Sequence, residues 1–309
     1  MTRPAVTVGI PFYNAGSTLA DAVRSVLAQT LDDWELVLVD DGSTDGGIEV
    51  ARSLRDSRVR VVSDGRNRGL SARLNQIAEF ARSKLLARMD ADDLMHSDRL
   101  AVQVEYLDRN PKVDVVGTGM YILDGDGRPV AKRPASTAPL TARSVLTGAC
   151  LMHATVMGRT DWFRQNPYYD PACPPVYPEA EDFELWCRTF GASRFARIPD
   201  PYYYCNEHAS FSMSKYARAS RSVARAQWRY GLRLIGFLGC CVLSARQAAK
   251  FLAHTCAAGL RLQGRMIARR SIALTPSEAE KVAADLARIR SIVLPTSPGE
   301  SAGERAGAR

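Results

Sequence analysis

Residues 84–93 read Lys-Leu-Leu-Ala-Arg-Met-Asp-Ala-Asp-Asp, an apolar, strand-like run that stops abruptly at Asp90, Asp92 and Asp93. Three carboxylates within four residues repel one another unless a cation compensates them. A hard divalent ion with oxygen ligands resolves that repulsion, and such ions commonly hold substrate phosphates too. An Asp-x-Asp pair at a strand end therefore predicts a metal bridging protein to a diphosphate. Acidic residues also cap helices, and Ser97 or Asp98 could start a helix carrying Leu100, Val104 and Leu107. Two more acidic groups stand out. Asp40-Asp41-Gly42-Ser43-Thr44-Asp45 follows a second apolar run, and Glu181-Asp182 opens a helical pattern after a Pro- and Tyr-rich stretch.

The elements that must position these residues alternate through the first 110 positions. Strand-like Ala5–Ile10 precedes an amphipathic helix with Leu19, Val23, Val26 and Leu27 on one face, Ser17 being its expected N-cap. Strands at Glu35–Val39 and Val59–Val62 and a strand ending at Met89 are separated by helices through Ile48, Val50 and Leu54, and through Leu70, Leu74 and Ile77. Such alternation predicts an α/β fold with a mainly parallel sheet flanked by helices. Ligands of such sheets bind outside the carboxyl ends of the strands, where both aspartate clusters fall. Short strands are expected at Val113–Val116, Thr118–Leu123, Ala154–Met157, Phe195–Ile198 and Tyr202–Cys205, with a hairpin turn at Gly125-Asp126-Gly127. Asn166 to Pro178 reads as a loop over the sheet and Glu181–Thr189 as a helix.

The chain has 309 residues, 46% hydrophobic and 24% charged, with a formal net charge of +8. That length carries one large domain plus an appendage. The charge is unevenly spread: residues 1–214 hold 24 Lys/Arg against 28 Asp/Glu, and residues 215–309 hold 17 against 5. Seven cysteines without C-x-x-C spacing argue against a zinc site or disulfide framework and for a reducing compartment. The N-terminal residues read as a strand, not a signal peptide. The longest strongly apolar stretch, Leu234 to Leu243, is ten residues, against about 20 for a bilayer span.

Five ordered segments carry a resemblance. They are Val6-Thr-Val-Gly-Ile-Pro-Phe-Tyr-Asn14, Trp34-Glu-Leu-Val-Leu-Val-Asp-Asp-Gly-Ser-Thr-Asp45, Asn67-Arg-Gly-Leu-Ser-Ala-Arg-Leu-Asn75, Met89-Asp-Ala-Asp-Asp93 and Glu181-Asp-Phe-Glu-Leu-Trp186. Together they resemble the inverting, non-processive glycosyltransferases of family 2, over about residues 5–215. The resemblance implies a GT-A fold: a catalytic domain over 1–214, its nucleotide-sugar half about 1–110 and its acceptor half about 111–214. A basic helical extension over 215–292 and a disordered tail over 293–309 lie outside it.

The resemblance also implies roles. Asp41 would accept a hydrogen bond from the nucleotide base, as a carboxylate suits the imide N–H of uracil, although other bases offer donors and Asp40 and Asp41 could instead cap a helix near Ser43. Pro11, Tyr13 and Asn14 would line the same pocket, and Arg73 would neutralise or position the nucleotide. Asp90 would contact the ribose side and Asp92 the metal, Mg²⁺ or Mn²⁺, with Asp93 leaving that assignment open by one residue. His208 is a candidate metal or diphosphate ligand, and equally a plain surface or core histidine. Asp182 would be the catalytic base and Glu181 would orient the acceptor, although both also suit a helix N-terminus. His153 resembles a position near the donor sugar. Two departures qualify the likeness: no Q-x-x-R-W run is present, which implies transfer of single residues, and Tyr168-Tyr-Asp-Pro-Ala-Cys-Pro-Pro175 replaces a glycine-rich run, so the acceptor stays open.

The expected reaction is metal-dependent transfer of one sugar from a nucleoside-diphosphate sugar, UDP-linked by preference, to a hydroxyl of a glycan or lipid-linked acceptor in surface polysaccharide or glycolipid synthesis. An inactive sugar-nucleotide binder of this fold and a nucleotidyltransferase are the rival readings. The second would need a Gly-rich, basic phosphate loop, which Pro11-Phe-Tyr-Asn-Ala-Gly16 is not. Between 215 and 270 stand twelve Lys/Arg and no acid, with stripes at Arg218, Arg221, Arg225, Arg229 and Arg233 and at Arg261, Arg265 and Arg269. Such helices predict either contact with an anionic bilayer from the cytoplasmic side or an apolar face packed on the catalytic domain. Without an aromatic stacking platform, nucleic acid is not the expected partner.

Overall fold

A computed structural model describes residues 3–169, 177, 179–206, 213–259 and 271–296. His208, the Arg261, Arg265 and Arg269 stripe, most of the Pro- and Tyr-rich loop and the tail from 297 lie outside these residues.

The first half follows the expected alternation: β1 (Val6–Phe12), α1 (Leu19–Leu27), β2 (Trp34–Asp40), α2 (Gly47–Ser53), β3 (Val59–Ser63), α3 (Leu70–Phe80) and β4 (Leu85–Arg88). β1 pairs in parallel with both β2 and β4, with Val8 opposite Leu36 and Ala87, and β2 pairs in parallel with β3. Every residue of β1, β2 and β4 is buried, because helices cover both faces of the sheet. The two-residue period of β2 divides its side chains between two cores. Leu36 and Leu38 join Leu19, Val23 and Val26 of α1, while Val37 and Val39 join Leu74 and Ile77 of α3. Gly9 makes the second layer fit, since a Cβ there would stand 2.2 Å from Ile77 Cγ2.

The second half adds β5 (Leu94–Met95), α4 (Arg99–Arg109), β6 (Val115–Leu123), β7 (Pro129–Arg133), α5 (Ala142–Leu146), a 3-10 turn at His153–Thr155, β8 (Met157–Arg159), α6 (Thr160–Gln165), α7 (Glu181–Thr189) and β9 (Phe195–Asn206). With β10 (Ile272–Ala273) the sheet order is β10-β7-β6-β8-β4-β1-β2-β3, and β9 pairs with β6 and β5. Several local expectations change. The strands expected at 113–116 and 118–123 largely merge into β6, and those at 195–198 and 202–205 merge into β9, because long pairing with a partner carries each across its interruption. The strand expected at 154–157 is mostly the 3-10 turn. Thr18, not Ser17, is the N-cap of α1, without a side-chain bond. No helix starts near Ser43; α2 begins at Gly47.

The C-terminal part is two structures. In α8 (Met213–Gly259) helical geometry breaks at Gly236, where φ is 72° and ψ 176°. The arms 213–235 and 237–259 run antiparallel: Tyr216 stacks on Phe251, Trp228 Nε1 donates to Ser244 Oγ at 2.9 Å, and Gly231 lies against Cys240. The first arm lies on the catalytic domain, with Ala226 in the α3-side core, Gln227 Nε2 donating to Leu146 O at 2.8 Å and Tyr230 Oη donating to Glu184. Within Met213–Ala253 one stretch is long and apolar enough to cross a bilayer by length and composition, and 11% of it is buried. The ten-residue measure taken from sequence misses it because it is bounded by Arg233 on one side and Ser244 on the other, whereas a longer window tolerates a few polar residues.

α9 (Pro276–Arg290) opens with a capping box at Thr275 and Glu278 and docks Val282, Leu286 and Ile289 against Ala28, Leu94 and Tyr204. It belongs to the catalytic domain in space. Residues 293–296 are held too: Leu294 packs on the main core, Arg55 N–H donates to Pro295 O and Thr296 bridges to Leu54. The disorder expected from 293 is corrected for these four residues, since their apolar and backbone groups have partners.

Candidate active site

The carboxyl ends of β1, β2 and β4 form one rim. At the end of β2, Asp40 accepts from Ser43 N at 2.9 Å and Ser63 Oγ at 2.7 Å, which closes the turn. Asp41, 6% exposed, accepts from Arg68 N at 2.7 Å, Gly69 N at 3.0 Å and Arg73 Nε at 2.8 Å. Arg73 is 1% exposed and also donates to Asp64 at 2.7 Å and Gln76 at 2.8 Å. The expectation that Arg73 serves a nucleotide is therefore corrected: its fork is spent inside the protein, ordering Asp41 and the 64–69 loop. Among the described residues Asp41 Oδ2 accepts from Gly69 N, which leaves it acceptor capacity. At the end of β1, Asn14 adopts a left-handed φ of 51°, which asparagine tolerates, and ties down the β2 loop through Ser43 Oγ at 3.0 Å and Thr44 N at 2.8 Å.

Beyond β4 the ligand oxygens of Asp90, Asp92 and Asp93 come within 4.8 Å of one another. Each has a different setting. Arg88 donates to both oxygens of Asp90. Asp93 is buried and accepts from Asn206 N at 2.8 Å; burial, then Asp90 and Asp92, pushes its pKa up to about 8. Asp92 is exposed, and Asn206 Nδ2 donates to its carbonyl. Tyr203 underlies the group: its hydroxyl accepts from Asp90 N at 3.2 Å, and Arg99 sits 5.2 Å over its ring. A cavity of about 350 Å³ brings Asp90 and Asp92 together with Pro11, Tyr13 and Asn14.

Arg88 connects this cavity to a second group. It is 5% exposed, held charged by Asp90, and its Nε has no partner among the described residues. Around it His153, Glu181 and Asp182 also bring ligand atoms within 4.8 Å. His153 Nε2 lies 3.1 Å from Tyr168 Oη, and burial, with the Arg88 charge, holds the imidazole neutral. Burial raises Asp182, opposed by the Phe183 amide and by Arg88. Burial, then the Asp182 charge, pushes Glu181 up to about 7. Two carboxylates at the start of α7 thus favour the protonated form more than free ones do. Glu181 faces a cavity of about 540 Å³ shared with Arg68, Gly69, Tyr168 and Glu179.

So the fold gathers Pro11, Tyr13, Asn14, Asp90 and Asp92 in one cavity and sets Glu181 in its neighbour. Asp41 lies beneath: its amide bonds Phe12 of the first cavity and its carboxylate bonds Arg68 and Gly69 of the second. His208 lies outside the described residues. Arg88, Tyr168, Tyr203 and Asn206 were not foreseen. Arg88 had a signal: it stands two residues before Asp90 at a strand end, hence on the same face, in an otherwise apolar run.

Residues 7–164 match glycosyl transferase family 2. The chain belongs to that family. It is 34% identical over 192 residues to the putative glycosyltransferase EpsE of Bacillus subtilis (strain 168), covering 60% of this chain and 67% of that one. It is 23% identical over 224 residues to an Escherichia coli protein, UDP-Glc:alpha-D-GlcNAc-diphosphoundecaprenol beta-1,3-glucosyltransferase WfgD, covering 72% and 81%. Its fold resembles the mannosyltransferase PcManGT of Pyrobaculum calidifontis, solved with GDP-Man and Mn²⁺, with a TM-score of 0.56, 18% identity and coverage of 94% and 86%. The fold is of the GT-A type, with a helical C-terminal extension, and the enzyme is an inverting glycosyltransferase.

Proposed function

We propose that this family 2 enzyme moves one sugar from a nucleoside-diphosphate sugar, UDP-linked by preference, to a hydroxyl of a lipid-linked or glycan acceptor in surface-polysaccharide synthesis. The observation that carries the reading is Arg88, which links the aspartate cavity to the raised Glu181–Asp182 pair. Inversion is a single displacement, so the acceptor hydroxyl must lose its proton as it attacks the anomeric carbon. Asp182 takes that proton, and its raised pKa makes it a stronger base than a solvated aspartate. Glu181, at the mouth of the larger cavity, orients the acceptor. Neutral His153, held by Tyr168, lies beside them near the donor sugar.

Pro11, Tyr13 and Asn14 enclose the nucleotide, with the exposed Tyr13 ring at its mouth and Asp41 Oδ2 offered to the base. Asp90, fixed by Arg88, faces the ribose. The carboxylates fit a hard divalent ion, Mg²⁺ or Mn²⁺: they are clustered oxygen donors, and burial, then the Asp90 and Asp92 charges, already makes Asp93 easier to protonate. Asp92, the exposed member, would hold it, with His208 a further candidate. Such an ion, when bound, supplies positive charge to the departing diphosphate. Cys150, Cys187 and Cys240 are buried thiols outside any disulfide, in keeping with work in the cytoplasm, where the C-terminal hairpin can meet the membrane.

The test is donor hydrolysis and transfer with Mn²⁺ across a panel of nucleotide sugars, wild type against Asp182→Asn. Loss of turnover with donor binding retained supports Asp182 as base. Equal turnover in the two proteins removes it from the chemistry.

A further inference from the structure

The hairpin of α8 presents a surface that the transfer reaction does not use. Where it turns at Gly236, large apolar side chains face outward: Leu232 is 50% exposed, Phe237 64%, Leu238 79% and Val242 48%. Trp228 sits one turn above, its ring 5.9 Å from Phe237 and its indole N–H donated to Ser244. Exposed cations accompany them: Arg233 beside Leu232, Arg229 beside Trp228, and Arg225, Arg246 and Lys250 farther along the arms. The tip is apolar, and exposed cations begin at Arg233 within its first turn and continue along both arms past Trp228. The sequence from 215 to 270 contains no acidic residue, and Arg218 pairs with Glu179 of the domain.

We propose that this tip is an interfacial anchor for an anionic lipid surface. This combination suits the boundary of a bilayer, with apolar groups in the acyl region, tryptophan at headgroup depth and long arginine side chains reaching back to the phosphates. Charge complementarity selects the occupant. A second copy of the chain would bring two acid-free, arginine-rich hairpins together, and like charges oppose that contact. A protruding convex tip also enters a fluid phase without needing a preformed groove. The break at Gly236 reverses the chain, so the apolar stretch lies across two short arms and favours lying in the interface over crossing it. The anchor stands on this surface alone and holds whichever sugar or acceptor the active site takes.

The experiment is co-sedimentation of the full chain with phosphatidylcholine vesicles, with and without phosphatidylglycerol. Binding is expected to require phosphatidylglycerol and to fall as salt shortens the Debye length from about 10 Å to about 3 Å. Neutralising two shaft cations in Arg229→Gln/Arg233→Gln lowers the partition coefficient about 30-fold. Phe237→Glu/Leu238→Glu, with Phe237→Ser/Leu238→Ser as a milder pair, lowers it by at least about tenfold. Retained circular dichroism and donor hydrolysis show that the variants are folded. Equal binding to neutral vesicles at all salt concentrations overturns the proposal, as does a tip variant that sediments like wild type. Tip variants that only dissolve a dimer would assign the surface to a second copy. Resistance to carbonate extraction would make the segment a span.

Discussion

The catalytic domain and the α8 hairpin use charge in opposite ways. In the domain, cations point inward: Arg73, 1% exposed, is spent on Asp41 and Asp64, and Arg88, 5% exposed, on Asp90. These pairs shape loops at strand ends, and removing Arg73 would leave the buried Asp41 carboxylate without its charge partner. In the hairpin the cations stand on exposed positions of a segment that itself holds no acid, and Arg218 reaches Glu179 of the domain at 3.0 Å. Inward charge builds a site; outward charge offers a surface. The difference teaches that counting arginines says little until burial is known.

The largest effect that can break this comparison is at the base. Asp182→Asn should lower kcat by about 10²–10⁴-fold, the usual contribution of general base catalysis, with donor KM little changed. Steady-state kinetics with Mn²⁺ reads both parameters. A variant within twofold of wild type would mean that the inward charges serve folding alone.

Next in size is the buried guanidinium. Arg73→Met leaves Asp41 and Asp64 without their shared partner and should cost about 3–5 kcal/mol of stability by urea unfolding. A loss below about 1 kcal/mol, the ceiling for a surface pair, would place Arg73 energetically with the hairpin arginines.

These two experiments bear unequally on what could be read from residues. The strands β1, β2 and β4 were legible because burial on both faces demands unbroken apolar runs, and α7 because Glu181–Thr189 keeps a helical period. Asp90, Asp92 and Asp182 were legible because clustered acids at strand and helix ends are rarely idle. What failed was anything set by distant pairing. Asn206 meets Asp93 across 113 positions, and Tyr204 meets Asp285 across 81, with no local pattern to announce either. Arg73 read as a cation near a nucleotide because sequence shows its charge but not the two aspartates that consume it. α9 was assigned to the helical extension and residues 293–296 to a disordered tail because composition does not report docking.

A smaller effect concerns protons. The base must be a carboxylate, so kcat/KM should fall tenfold per unit as pH drops below the pKa of the pair, with Glu181 up at about 7. The pair titrates as a unit, and Arg88, Asp90, Glu179 and Tyr168 all face it, so the midpoint belongs to the group. Glu181→Gln should move this limb to lower pH. The same raised pKa makes the folded protein hold a proton that the unfolded chain releases near 4.5, so stability from this group declines as pH rises from there towards 7. A limb that stays put in Glu181→Gln would detach Glu181 from the reaction.

The smallest expected effect sharpens the comparison most. Arg221 is exposed on the first arm of α8. Arg221→Gln keeps its length and helix propensity while deleting the charge, so its stability should change by no more than about 0.5 kcal/mol. Set beside Arg73→Met in the same urea assay, it holds residue type constant and varies only where the charge lies. If Arg221→Gln costs as much as Arg73→Met, the hairpin arginines are structural, and a surface kept clear for lipid loses its support. If it costs almost nothing, folding does not account for this exposed cation, which is the outcome expected of a surface kept for an anionic lipid.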